Sequence, residues 1–206
     1  MKKFLISFLL ATMILPSVKA QDNLFDNSDN KSYFGVRLGL DIVSLQGDMY
    51  NNRAGFQLGA IYNMPIWKNL YFEPGISLFY NTAKANVFEW IPGPNNPRTL
   101  ENWGLRIPFI FGYHFDFTDN LQIILYTGPQ LDANISFHTK FNDNLGGTKA
   151  DFNRFDFGWN FGIGARYDSY YLGLGGTVGI NHLVRESIYY DGARRNLFTI
   201  SLGYNF

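Results

Sequence analysis

The sequence predicts an all-β fold, a transmembrane antiparallel up-and-down β-barrel of eight strands. Three observations predict it. Bulky apolar residues alternate with small or polar ones along extended segments, the period of a strand and not of a helix. The alternate positions are Gly, Asn, Ser and Thr rather than Lys and Glu. The connections between segments are long and short in turn, as in barrels with external loops and inner turns. The composition demands such a solution: 20 Phe, 13 Tyr and 21 Gly, with no Cys. So many rings need a large core or a lipid face. Beyond the N-terminus no apolar run reaches the ~18 residues of a membrane-spanning helix.

The N-terminus reads as a secretory signal peptide over residues 1–20. Lys2 and Lys3 precede an apolar stretch from Phe4 to Leu15, Pro16 breaks it, and Val18-Lys19-Ala20 places small residues for cleavage after Ala20. Twelve apolar residues are too few to span a bilayer as a helix, which takes about 20. Residues 21–32 are polar and are expected to form a periplasmic lead-in, leaving 33–206 for the barrel. Removing the three lysines of the signal region leaves 14 basic against 17 acidic residues, without the basic excess of a nucleic-acid binder. The absence of Cys rules out disulfide staples and thiolate metal sites.

The first strand sets Phe34, Val36, Leu38, Leu40 and Ile42 against Gly35, Arg37, Gly39 and Asp41. Four noisier segments follow, over approximately 54–64, 70–82, 102–115 and 121–135. The sixth alternates from Phe155 through Phe157, Trp159, Phe161, Ile163 and Ala165 to Tyr167. A seventh covers 170–181, and the last runs Phe198, Ile200, Leu202, Tyr204, Phe206. Each is long enough to cross a bilayer when tilted, which takes about 9–11 residues. A soluble barrel would turn its apolar face inward and clothe the outside in Lys and Glu. Here the non-apolar face is too small and Gly-rich for that, and suits the crowded lumen of an eight-stranded barrel. Connections 45–53, 83–101, 136–153 and 182–195 are long; 65–69, 116–120 and 168–169 are short and carry turn residues at Asp119-Asn120 and Asp168-Ser169. The short turns and both termini are therefore assigned to the periplasm. Trp67, Tyr71, Phe115, Phe117, Tyr167, Tyr170 and Tyr171 are expected to form an aromatic girdle there, with Trp90 and Trp103 on the outer side. Pro74, Pro108 and Pro129 fall inside strands, so bulges or strand ends are expected at them.

The stretches YFEPGISLFY (71–80), NWGLRIPFIFGYHF (102–115), LYTGPQL (125–131) and DFGWNFGIGARY (156–167) resemble the PorT-like outer-membrane barrel domain family common in Bacteroidetes, within the wider OmpA/OmpX-like group of eight-stranded barrels. The resemblance implies the same fold and location and accounts for the three strand prolines. It implies no particular activity, and PorT's association with a secretion apparatus is not carried over.

Charge on the lumen face is the main candidate site: Arg37, Asp41, Glu73, Arg106, His114, Asp132, Asp156 and Arg166. Single charges are costly in a narrow interior, so these should pair into a structural network that plugs the lumen. By strand direction Asp41, Arg106 and Asp156 belong to the outer half, Glu73, Arg166 and His114 to the periplasmic half, and Arg37 lies between. Ser136-Phe137-His138 offers a hydroxyl and an imidazole on one face at the top of strand five. Lipid-A deacylase barrels use a Ser–His pair with an acid on the membrane side. Here parity sends both residues to the lumen or a loop, and no orienting acid is identifiable, so no enzyme is expected. Gly162-Ile163-Gly164 and Gly173-Leu174-Gly175-Gly176 precede no helix and are read as small lumenal residues, not nucleotide motifs. The long connection after strand three holds Phe88, Trp90 and Ile91 before a Pro-Gly-Pro run and is a candidate extracellular binding loop. Phe206, closing an alternating strand, reads as a C-terminal assembly signal. The expected role is that of a non-enzymatic integral outer-membrane barrel, structural, adhesive or partner-binding through its loops. A small ion or solute channel, or a subunit of a secretion or assembly complex, is the alternative. Expected partners are outer-membrane lipid, lipopolysaccharide and, during biogenesis, the barrel-assembly machinery, with no cofactor and no nucleic acid.

Overall fold

The computed structural model describes residues 31–46, 50–51, 53–85, 98–118, 120–140, 153–182 and 194–206. The signal peptide, most of the lead-in and the loop holding Phe88, Trp90 and Ile91 lie outside the described residues. Eight long strands form: β1 Tyr33–Gln46, β2 Arg53–Trp67, β3 Leu70–Ala85, β4 Arg98–Thr118, β5 Leu121–Lys140, β6 Phe155–Tyr167, β7 Tyr170–Gly179 and β8 Arg194–Asn205. A two-residue ladder, Tyr50–Asn51, pairs with the far end of β3. Every strand pairs antiparallel with its sequence neighbours. β8 returns to β1, from Gly35 opposite Asn205 to Gln46 opposite Arg194, so the sheet is closed. Closure leaves no unpaired edge, a condition for strands that cross a membrane.

The polarity of the barrel is inverted relative to a soluble one. Phe34 and Leu40 are more than 60% exposed, and outward rows of Phe, Leu, Ile and Trp continue around every strand. The buried set is mainly polar, with Asp41, Arg106, Asp132, Asp156 and Arg195 all under 5% exposed. An apolar exterior over a charged interior suits hydrocarbon outside and a narrow lumen within. Two girdle assignments are corrected. Tyr71 is buried and Tyr171 lies under the Arg37 guanidinium at 4.2 Å, so both point inward. They share strand parity with Glu73 and Gly173, and nearness to a turn does not override the pleat. Trp67, Phe115, Phe117, Tyr167 and Tyr170 are exposed beside the turns.

The strands outrun their predicted ends, most in β4 and β5, where pairing extends to Thr99 opposite Lys140. Alternation fades where a strand leaves the hydrocarbon and both faces become wet, but backbone pairing does not need it. At the opposite rim, Lys68 (φ 47°) and Asp168 (φ 50°) adopt the left-handed conformation that lets two-residue turns reverse the chain.

The prolines occupy neither bulges nor strand ends, which corrects the expectation. Pairing skips from Ile61–Gly75 to Met64–Phe72 around Pro74, from Ser77–Arg106 to Pro74–Phe109 around Pro108, and from Pro108–Gln130 to Phe111–Thr127 around Pro129. The register is unshifted across each interruption. On the far side each proline stays paired, with Phe109, Gln130 and Trp159 respectively. A proline lacks one donor, and here that donor would face the preceding strand, so each loses ladder on one side only.

Candidate functional site

Five charged side chains from five strands meet in the loop-end half of the lumen. The Arg106 guanidinium donates to Asp132 through Nε (3.1 Å) and Nη2 (3.2 Å) and to Asp41 through Nη1 (2.9 Å). Arg195 pairs with Asp132 and, at 2.8 Å, with Asp156. Gln57 and Thr199 bond Asp41 at the margin, and Gln130 donates to Asp132 at 3.1 Å. Charges stripped of water survive only when paired and hydrogen-bonded. Phe79, fully buried, lies between the two guanidiniums, 4.9 Å from Arg106 and 5.1 Å from Arg195. Its ring fills the space the ions leave, and the cations meet its π-face.

The turn-end half is closed by rings rather than ions. A Cβ on Gly112 would strike the Tyr71 ring, on Gly162 the Tyr126 ring, and on Gly164 or Gly173 the Tyr171 ring. The phenol end of each tyrosine thus occupies the space above a glycine of a neighbouring strand, Gly112, Gly162 or Gly164, which only a residue without a side chain allows. Arg37 crosses this layer, donating to Asn205 Oδ1 at 2.8 Å and approaching Glu73 at 3.9 Å; Asn63 donates to Glu73 at 3.1 Å. Between the two halves is a cavity of about 110 Å³, bordered by Gln57, Ser77, Gln130, Asn160, Thr199 and Ser201. It has room for a few waters.

The eight sequence-derived lumen residues therefore divide. Asp41, Arg106, Asp132 and Asp156 are brought together, and Arg37 and Glu73 form a second group. Arg166 stacks on the Tyr33 ring at 5.2 Å, outside both. His114 pairs with Asp116 at 3.1 Å at the turn rim, where Asn69 and Gln122 also bond that carboxylate. Arg195, which joins Asp132 to Asp156, was hidden by the assignment of 182–195 to a loop. Its signal was parity: it is in phase with Leu197, Thr199 and Ser201, the inward face of the last strand. Phe206 is exposed at the turn rim, its N–H bonded to Phe34 O at 2.8 Å.

Ser136 also departs from expectation. Gly104 stands opposite Asn134, but Trp103 stands opposite Ser136, so Ile135 is an extra residue on β5. This β-bulge reverses the parity of everything beyond it. Ser136 shares the outer face with Trp103, which is 46% exposed, and does not face the lumen. The His138 side chain lies outside the described residues.

A closed eight-stranded barrel, apolar outside and ionic within, defines an integral outer-membrane β-barrel protein. The chain belongs to the outer membrane protein beta-barrel domain family, whose pattern it matches over residues 8–206. Among solved structures it is similar to the outer membrane protein OprG from Pseudomonas aeruginosa, at 11% identity over 86% of this chain and 97% of that one, with a TM-score of 0.53. It is also similar to Neisserial surface protein A, at 16% identity over 85% of this chain and 99% of that one, with a TM-score of 0.48. At 11% identity the likeness to OprG shows the fold alone. A comparison with curated proteins gives no match.

Proposed function

We propose that this protein is a plugged outer-membrane barrel that acts through its extracellular surface, as a structural or partner-binding protein, and that its lumen is neither pore nor active site. The observation that carries the reading is the interior itself. The Asp41–Arg106–Asp132–Arg195–Asp156 chain and the Tyr71, Tyr126 and Tyr171 rings fill the cross-section at two levels. On this reading, binding falls to the loops, with Phe88, Trp90 and Ile91 the candidate contacts. Within the family we assign the chain to the PorT-like branch, on Glu73-Pro74, Arg106-Ile107-Pro108 and Gly128-Pro129, with export and cleavage after Ala20.

The test is conductance in planar bilayers together with co-purification from native membranes. The reading expects no discrete conductance steps, and a partner lost when Phe88, Trp90 and Ile91 are replaced by Ser in a barrel that still folds. Reproducible steps from the wild-type protein would transfer the function to solute passage.

A further inference from the structure

The cavity between the ionic and the tyrosine levels has two unlike walls. On β2, β3 and β4 it is apolar. Ile61, Pro108 and Ile110 line it there, and a Cβ on Gly75 would meet Ile61 at 3.0 Å and Pro108 at 3.2 Å, so these groups form one continuous surface. On β6, β7 and β8 it is polar, lined by Asn160, Thr177, Thr199 and Ser201. The two walls face each other, because β2–β4 and β6–β8 are opposite arcs of a closed eight-stranded ring.

Two hydroxyls on this cavity are poorly met. Ser77 Oγ donates to Gln57 Oε1 at 3.4 Å, and Thr177 Oγ1 donates to Gln130 Oε1 at 3.4 Å. An ordinary O–H···O bond is about 2.7–2.8 Å long. Each acceptor already takes a shorter bond, Gln57 from Arg106 at 2.9 Å and Gln130 from Asn160 at 3.1 Å. Thr177 is buried, and a hydroxyl cut off from water without a good partner is costly. Both hydroxyls therefore favour an occupant that can bond them. The charges at this level are already engaged. Arg106 is met by Asp41 and Asp132, while Arg37 and Glu73 approach each other and are bonded by Asn205 and Asn63. The occupant that fits is neutral.

The volume of about 110 Å³ equals three or four waters at about 30 Å³ each, or one organic molecule of the same bulk. Buried water takes about 2–4 polar partners, and Ile61, Pro108 and Ile110 offer it no side-chain partner along their arc. A polyol meets both walls, laying C–H groups on the aliphatic arc and turning hydroxyls to Ser77, Thr177 and Asn160. We infer that this cavity is a binding site for one small neutral polyol of about the size of glycerol, enclosed between the two levels of filling. The ionic level roofs the site and the Tyr71, Tyr126 and Tyr171 rings floor it, so the solute is held and not passed. The site is independent of what the loops bind, because a lumen closed to current can still enclose a solute.

The test folds full-length protein into phosphatidylcholine vesicles in buffer containing carbon-13-labelled glycerol, so that the solute is present before the barrel closes. The folded state is verified by heat-modifiable migration on gels. Solid-state NMR with cross-polarisation then reads only glycerol immobilised by the protein, and through-space contacts locate it. The expected result is an immobilised glycerol signal with contacts to Thr177 on one wall and to Ile61 or Ile110 on the other. S77L and S201L, which push a branched side chain into the cavity from two different strands, should each abolish that signal in a barrel that still folds. T177V removes a hydroxyl at nearly constant shape and should weaken binding about fivefold. A folded wild-type barrel that immobilises no glycerol overturns the proposal. Contacts confined to lipid or to the aromatic girdle overturn it too, as does a signal unchanged in folded S77L and S201L. Should neither leucine variant fold, the contacts in the wild-type protein decide alone.

Discussion

Asp132 and Asp156 carry the same charge in the same cluster but do not have the same role. Among the described residues Asp132 accepts from Arg106, Arg195 and Gln130, whereas Asp156 meets only Arg195 and leaves Oδ1 without a hydrogen-bond partner. With three carboxylates facing two guanidiniums, Asp156 is the surplus charge. D156N is therefore expected to leave the urea midpoint of the folded barrel unchanged or higher. D132A leaves Arg106 with Asp41 and Arg195 with Asp156 but takes the shared acceptor from both guanidiniums, and the buried charged donors it leaves unmet should cost about 1–3 kcal/mol in the same titration. Most of this cluster was readable from sequence, because a charge in phase with Gly and Asn on an otherwise apolar strand has to face the lumen. Which charges meet was not readable. Partners come from positions as far apart as 158 residues in this cluster, as with Thr199 and Asp41, and their heights depend on stagger around the barrel. Arg195 escaped for a different reason, since a residue at a strand end has too few neighbours to reveal a period.

At the scale of the strand, the ring-on-glycine joints fix how closely β4 and β6 approach the tyrosines of β3, β5 and β7. Gly162→Val puts a branched side chain where the Tyr126 ring lies and should destabilise the barrel by about 1–3 kcal/mol. Tyr126→Ala in the same chain vacates the space, so the double variant should recover part of the loss, a coupling that a double-mutant cycle reads directly. The bulge offers a second test. Deleting Ile135 restores an uninterrupted register between β4 and β5 and returns position 136 to lumenal parity. Such a barrel should still migrate as a folded species on unheated gels, while a cysteine placed at position 136 loses its reactivity towards a membrane-soluble thiol reagent. Strand existence and facing were legible wherever alternation ran long. The bulge was not, because one extra residue leaves no compositional mark and shows only in the partner strand's register.

For the molecule as a whole, the two levels of filling act in series. Removing the upper one alone, as in F79A/R106A, leaves the tyrosine layer, and Y71A/Y171A alone leaves the ions. Single-level variants should stay silent in planar bilayers, and conductance steps should emerge only when both sets are combined. Steps from either pair alone would show that the other level does not seal. The closed fold and its inverted polarity were predictable because they rest on the chain's own period and on lipid as solvent. The outward facing of Ser136 was not, because it depends on the register of two strands together.

The three prolines have a mechanical consequence. Their lost ladder positions all lie between β2 and β5, while pairing from β5 through β8 to β1 and on to β2 is continuous. The barrel thus has a stiff arc and a compliant one. When the surrounding bilayer squeezes or thins, the circumference yields first along the proline arc, and the fully laced arc keeps its curvature.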